Sequence, residues 1–150
     1  MRGQSVLAQV TGVLERCGIA FMLTGSFAGA YHGVPRATLD IDLVIDPTRA
    51  QLEAFVEAID AAALYVSADA AREAIMLESL FNVIDPSTGW KVDLIIRKSR
   101  AFSREGFSRR MPIVFDGVQL AVATLEDVIL SKLEWAAKSE AARRAGVEAD

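Results

Sequence analysis

The sequence predicts an α+β fold. Helical-period apolar stripes recur near the start, the middle and the end of the chain. Between them lie short runs rich in Val, Ile and Leu, and these runs are separated by breaker-rich turns such as Asp85-Pro86-Ser87-Thr88-Gly89 and Asp116-Gly117. Apolar residues at i, i+3 and i+4 mark helices, and short β-branched runs bounded by Gly, Pro or Asp mark strands. The chain has 150 residues, 52% of them hydrophobic and 24% charged. That suits one folded domain spanning 1–150 with a sizeable core, not a disordered chain.

Residues Ser5 to Cys17 read as the first helix, with Val6, Val10, Val13 and Cys17 at helical spacing and Gly18 as its stop. Ile19 to Leu23 reads as a short buried strand. It ends at Thr24-Gly25-Ser26, and Phe27 to His32 supplies one or two turns of helix. Free N–H groups at such a strand-to-helix junction favour an anion, and glycine lets it approach; an ordinary turn with a Ser N-cap gives the same pair. Residues 33–38 form a loop carrying Arg36, which suits either a phosphate contact or a plain surface charge.

The next run, Leu39-Asp40-Ile41-Asp42-Leu43-Val44-Ile45-Asp46, is the most informative. Successive strand side chains alternate between faces, so Asp40 and Asp42 share one face and Leu39, Ile41, Leu43 and Ile45 the other. At about 3.3 Å rise per residue the two carboxylates lie roughly 7 Å apart along the strand. They either converge on divalent ions or form a polar strand end facing water. A second helix follows at Arg49–Ala63 with a core stripe of Leu52, Phe55, Val56 and Ile59, then a short helix at Ser67–Met76. Leu80–Ile84 and Trp90–Ile96 read as strands. The latter carries Asp93 alone among apolar residues, and a buried carboxylate needs a partner or a metal. Beside the first acidic strand, Asp93 completes a three-acid cluster; otherwise it makes a salt bridge at a sheet end.

Arg97 to Arg110 is basic, with Phe102 and Phe107 interleaved. It reads as a phosphate-binding segment for a nucleotide or an RNA end, or as a solvated loop or short helix. Met111–Phe115 and Val118–Val122 are strands about Asp116-Gly117. Thr124 caps the last helix with Asp127 in the capping-box position, and the tail from about Ser139 is expected to fray. Lys132 lies among apolar neighbours, either reaching toward a pocket or snorkelling to solvent.

Composition excludes several classes. A net charge of -4 argues against a general nucleic-acid coat. One cysteine, Cys17, rules out an internal disulfide and a cysteine metal site, and fits a reducing, cytoplasmic setting. His32 is the sole histidine, with no Ser or Cys partner in a motif.

Gly25-Ser26, thirteen intervening residues (27 to 39), Asp40-Ile41-Asp42 and a later Val92-Asp93-Leu94 together resemble the DNA polymerase β-like nucleotidyltransferase superfamily. The strings GSFAGAYHGVPRATLDIDLVID and ATLEDVILSKLEW are similar to its small bacterial AbiEii-like and minimal nucleotidyltransferases, over roughly Ile19 to Glu140. The resemblance implies a mixed β-sheet flanked by helices, with the acids at one sheet end. It implies that Asp40, Asp42 and Asp93 are catalytic and hold two Mg²⁺ ions, Mn²⁺ being an alternative. Asp93 would also help deprotonate the attacking hydroxyl. Gly25 and Ser26 would cradle the phosphates of a nucleoside triphosphate, with Lys132 a weaker phosphate contact. The implied reaction transfers NMP to a hydroxyl of RNA such as tRNA, of a protein or of a small molecule. Some relatives are toxins, so an antitoxin partner is conceivable. The alternatives are a non-catalytic nucleotide- or partner-binding module, and a metal-dependent phosphodiesterase.

Overall fold

The computed structural model describes residues 2–33, 40–115 and 117–146. The order is α1 (Arg2–Arg16), β1 (Ala20–Thr24), α2 (Gly25–Tyr31), β2 (Asp40–Asp46), α3 (Arg49–Ala61), β3 (Tyr65–Val66), α4 (Ala68–Leu77), β4 (Leu80–Ile84), β5 (Lys91–Ile96), α5 (Ala101–Ser108), β6 (Met111–Phe115), β7 (Val118–Val122) and α6 (Leu125–Arg144). The strands form one mixed seven-stranded sheet in the order β3-β4-β5-β2-β1-β7-β6. β2–β5 and β1–β7 are parallel, and the other pairs are antiparallel.

Period-two burial divides the central strands. Ile41, Leu43 and Ile45 of β2 and Val92, Leu94 and Ile96 of β5 are buried on one face. Phe81 of β4 meets Phe55 of α3 there, edge to face with ring centroids 6.4 Å apart. Leu52, Phe55 and Ile59, the stripe read from the sequence, are fully or almost fully buried. The start of α3 is fixed by a capping box between Thr48 and Gln51. The opposite face carries Asp40, Asp42 and Val44 of β2 with Lys91, Asp93 and Ile95 of β5.

Two elements differ from the expectation, and a third decides between stated alternatives. The two-residue β3 pairs with the outer side of β4, too short to leave a periodic signal. The basic segment contains α5, the short helix that is one of the two forms read for it. α6 runs on to Arg144, past the predicted fraying point. Its tail is rich in Ala, Glu and Arg, which are strong helix formers. Glu140 pairs with both Arg143 and Arg144, and Lys138 with Glu134, at helical spacing. Residues 147–150 and the Asp116 part of the predicted turn lie outside the described residues.

Candidate active site

The register of the two central strands assembles the acids. Parallel pairing sets Asp42 of β2 directly beside Asp93 of β5 and Asp40 beside Lys91. Antiparallel pairing sets Thr24, the last residue of β1, beside Asp42. Paired residues point to the same face, so the Gly25-Ser26 turn, both strand acids and Asp93 meet at one sheet end. Gly25 has φ +66, and a Cβ built on it would lie 2.1 Å from Asp42 Oδ2. The glycine therefore supplies both the left-handed turn and the space for the Asp42 carboxylate.

The carboxylates are poorly solvated and mutually repulsive. Burial, then the charges of Asp93 and Asp40, push the Asp42 pKa from the ordinary 3.8 to about 7. Burial also raises Asp93, opposed mainly by the Lys91 ammonium. Asp93 Oδ1 is buried without a hydrogen-bond partner. Lys91 Nζ lies 3.7 Å from it and 3.8 Å from Asp40 Oδ2, beyond hydrogen-bond length. Carboxylate oxygens, one of them without a hydrogen-bond donor, are the ligand type that a hard divalent cation takes. As they stand, however, no three His, Cys, Asp or Glu side chains among the described residues form a group that could hold a metal ion. Lys91 is the cation found beside Asp40 and Asp93.

A pH prediction follows from Asp42. Between about pH 4 and 7 the native carboxyl keeps a proton that the unfolded chain has released, so this group's contribution to stability falls as pH rises through that window. In metal-free buffer Asp42→Asn should equal wild type near pH 4 and exceed it by about 2–4 kcal/mol at pH 8. Urea unfolding at both pH values checks this; parallel pH profiles would refute it.

A cavity of about 760 Å³ opens over the same face and is lined by Gly25, Asp42 and Asp93 at one part of its wall. Arg97, Lys98, Arg100 and Lys132 line another part, with Phe102 and Trp135. The basic segment thus divides. Arg97 stands 3.7 Å from Asp46 and keeps a buried Nε without a partner. Arg100 bonds Glu134 at 2.6 Å and lies over the Phe102 ring. Arg109 instead forks onto buried Asp127, which also binds the Thr124 hydroxyl. The Arg109 guanidinium holds the Asp127 pKa below its ordinary value. Asp127 N–H donates to the Thr124 hydroxyl as a cap.

Lys132 is exposed on α6. His32 is committed to a 3.0 Å contact between Nε2 and the Ala123 carbonyl. Arg36 and the Ser26 side chain lie outside what the structure describes. Lys91 escaped the sequence reading, although its place two residues before Asp93 puts it on the acid face by strand alternation.

The architecture is a mixed α+β fold of the nucleotidyltransferase type, with Asp42 and Asp93 at the wall of a cavity. Among solved structures the chain resembles TM1012 of Thermotoga maritima, a presumed nucleotidyltransferase, with a TM-score of 0.61 and 18% identity, covering 94% of this chain and 90% of that one. It also resembles the antibiotic-resistance factor ANT(2'')-Ia in its solution structure, with a TM-score of 0.59 and 17% identity over 89% of this chain and 71% of that one. The crystal structure of ANT(2'')-Ia with adenylyl-2''-tobramycin gives a TM-score of 0.60 and 13% identity over 92% and 78%. No family model matches the chain, and no curated protein matches it either. At these identities the likeness is one of fold. No helix among the described residues is long and apolar enough to cross a membrane.

Proposed function

We propose that this chain is a Mg²⁺-dependent nucleotidyltransferase that moves NMP from a nucleoside triphosphate to an acceptor hydroxyl and releases pyrophosphate. The observation that carries the reading is the pairing of Asp42 with Asp93, next to Asp40, at the wall of a cavity that also presents Arg97, Lys98 and Lys132. Asp40, Asp42 and Asp93 would hold the divalent cations. Bound there, such ions would neutralise phosphate charge and supply Lewis-acid assistance to phosphoryl transfer. The protein's own part is positioning and charge. Gly25 gives Asp42 its room, and the Gly25-Ser26 turn seats the terminal phosphates. The cavity cations stabilise the leaving pyrophosphate, and Asp93 takes the proton of the attacking hydroxyl. Arg36 remains a phosphate contact proposed from sequence alone.

The adenylylated aminoglycoside held by ANT(2'')-Ia supports ATP as the first donor to test. Membership of the AbiEii-like group and a toxin role with an antitoxin partner rest on the sequence resemblance, and a cytoplasmic site on the single cysteine. The acceptor would be RNA such as tRNA, a protein or a small molecule; among the described residues the cavity wall carries four carboxylates (Asp42, Glu78, Asp93, Asp127) and four cations (Arg97, Lys98, Arg100, Lys132), so its charge does not choose among them. Labelled NTPs with Mg²⁺ or Mn²⁺, offered tRNA, protein and aminoglycoside acceptors, test the reaction. Transfer to any of them is the expected result, and none with any NTP overturns it. Mg²⁺ plus ATP should also raise the melting temperature of wild type by several degrees, and Asp40→Asn should abolish the shift. A shift without transfer would favour the non-catalytic nucleotide-binding module.

A further inference from the structure

We propose that Lys91 is the resident counter-cation of the acid cluster, a positioning residue that a divalent ion must displace and that thereby sets the cation affinity of the site. The inference rests on the reading that the three acids hold metal. Lys91 opens β5, lies opposite Asp40 in the register, and shares a strand face with Asp93. Its ammonium stands within 4 Å of a carboxylate oxygen on each of them.

The arrangement is a poor stabilising device. At 3.7 and 3.8 Å the ammonium supplies charge without a directional hydrogen bond. Partly exposed ion pairs of this sort contribute little to folding. Meanwhile Asp93 Oδ1 stays buried with no donor, which is costly to leave unmade. A counterion that balances charge but leaves the oxygen's coordination open is suited to exchange. The Lys91 side chain is about one-third exposed, so the four-carbon stem can swing its ammonium into water or toward the cavity. Without it, Asp40 and Asp93 lose the ammonium that stands beside both. With it, the acids are held ready for a stronger cation.

The test is Mn²⁺ binding to the full chain without nucleotide, by calorimetry and by the electron paramagnetic resonance signal of free Mn²⁺. Removing one positive charge beside two ligating carboxylates should tighten Mn²⁺ about tenfold in Lys91→Met, while Lys91→Arg, which keeps the charge, should stay near wild type. Asp93→Asn in parallel reports the metal site itself. If wild type binds Mn²⁺, Asp93→Asn does not, and Lys91→Met binds no more tightly than wild type, the Lys91 proposal falls and the metal reading stands. If no form binds Mn²⁺, both fall. A second measurement needs no variant. Mg²⁺ added to wild type should increase acylation of the Lys91 amine relative to Lys138, which pairs with Glu134 on α6. Unchanged relative labelling when Mg²⁺ saturates the site would overturn the displacement.

Discussion

Asp93→Asn is expected to lower nucleotidyl transfer at least about a thousandfold while leaving the protein folded, as loss of a transition-state charge partner does. The substitution keeps the shape of the side chain and removes one charge. Asp93 adjoins Asp42 in the register, and its Oδ1 has no hydrogen-bond partner in the fold. Its contact in the fold is the Lys91 ammonium at 3.7 Å, a partly exposed ion pair of small worth. Its charge is a burden to the native state, because burial raises the pKa and the neighbouring Asp40 opposes ionisation. Neutralising it should hold or raise the melting temperature in metal-free buffer at pH 8. The combination is diagnostic. A structural carboxylate loses stability when neutralised, whereas a ligand for a divalent cation loses chemistry and metal binding together. Rates of label transfer, the metal-free melting curve and the shift with Mg²⁺ and ATP check it. Transfer within tenfold of wild type would remove Asp93 from the chemistry.

Much of this site was legible in the sequence because strand alternation is a strict rule. Asp40-Ile41-Asp42 fixes two acids on one face whatever the sheet order, and Val92-Asp93-Leu94 does the same for the third. What alternation cannot give is the neighbour. The parallel pairing of β2 with β5 spans an intervening α3-β3-α4-β4, and only the three-dimensional register shows that Asp42 faces Asp93 and Asp40 faces Lys91. The role of Lys91 was hidden for the same reason, since a cation two residues from an acid looks like an ordinary surface pair. Arg109 and Asp127 were separately visible, one in a basic run and the other as a cap, but their bond joins α6 to the end of α5 over 18 residues. The helical tail beyond Ser139 was underestimated, because its polar pattern shows no apolar stripe. Its order comes from helix-forming residues and ion pairs along its own surface.

The second large effect falls on Gly25, which the sequence offered as a phosphate seat and the structure also makes a spacer. Gly25→Ala puts a methyl where Asp42 already stands: 2.1 Å from Oδ2, 2.9 Å from Cγ and 3.1 Å from Cβ. The carboxylate end can rotate, but Asp42 Cβ is anchored to β2 between the paired strands β1 and β5. Rotation takes the oxygen away from Asp93, and staying put forces the β1–α2 turn outward. The first outcome moves the Asp42 carboxylate, and the second shifts the turn proposed to seat the phosphates. The left-handed φ of +66 adds strain of about 1–2 kcal/mol for any residue with a Cβ. Stability should fall by about 2–4 kcal/mol, and transfer should drop at least about a hundredfold even below the melting temperature, since small misplacements of reacting groups are costly. The contrast with Gly89 separates the two causes. That glycine also has positive φ, at +78, yet a Cβ on it would meet nothing within 4 Å. Gly89→Ala should therefore cost the backbone strain alone and leave transfer near wild type. If the two variants lose activity equally, strain and not the displacement of Asp42 governs the site.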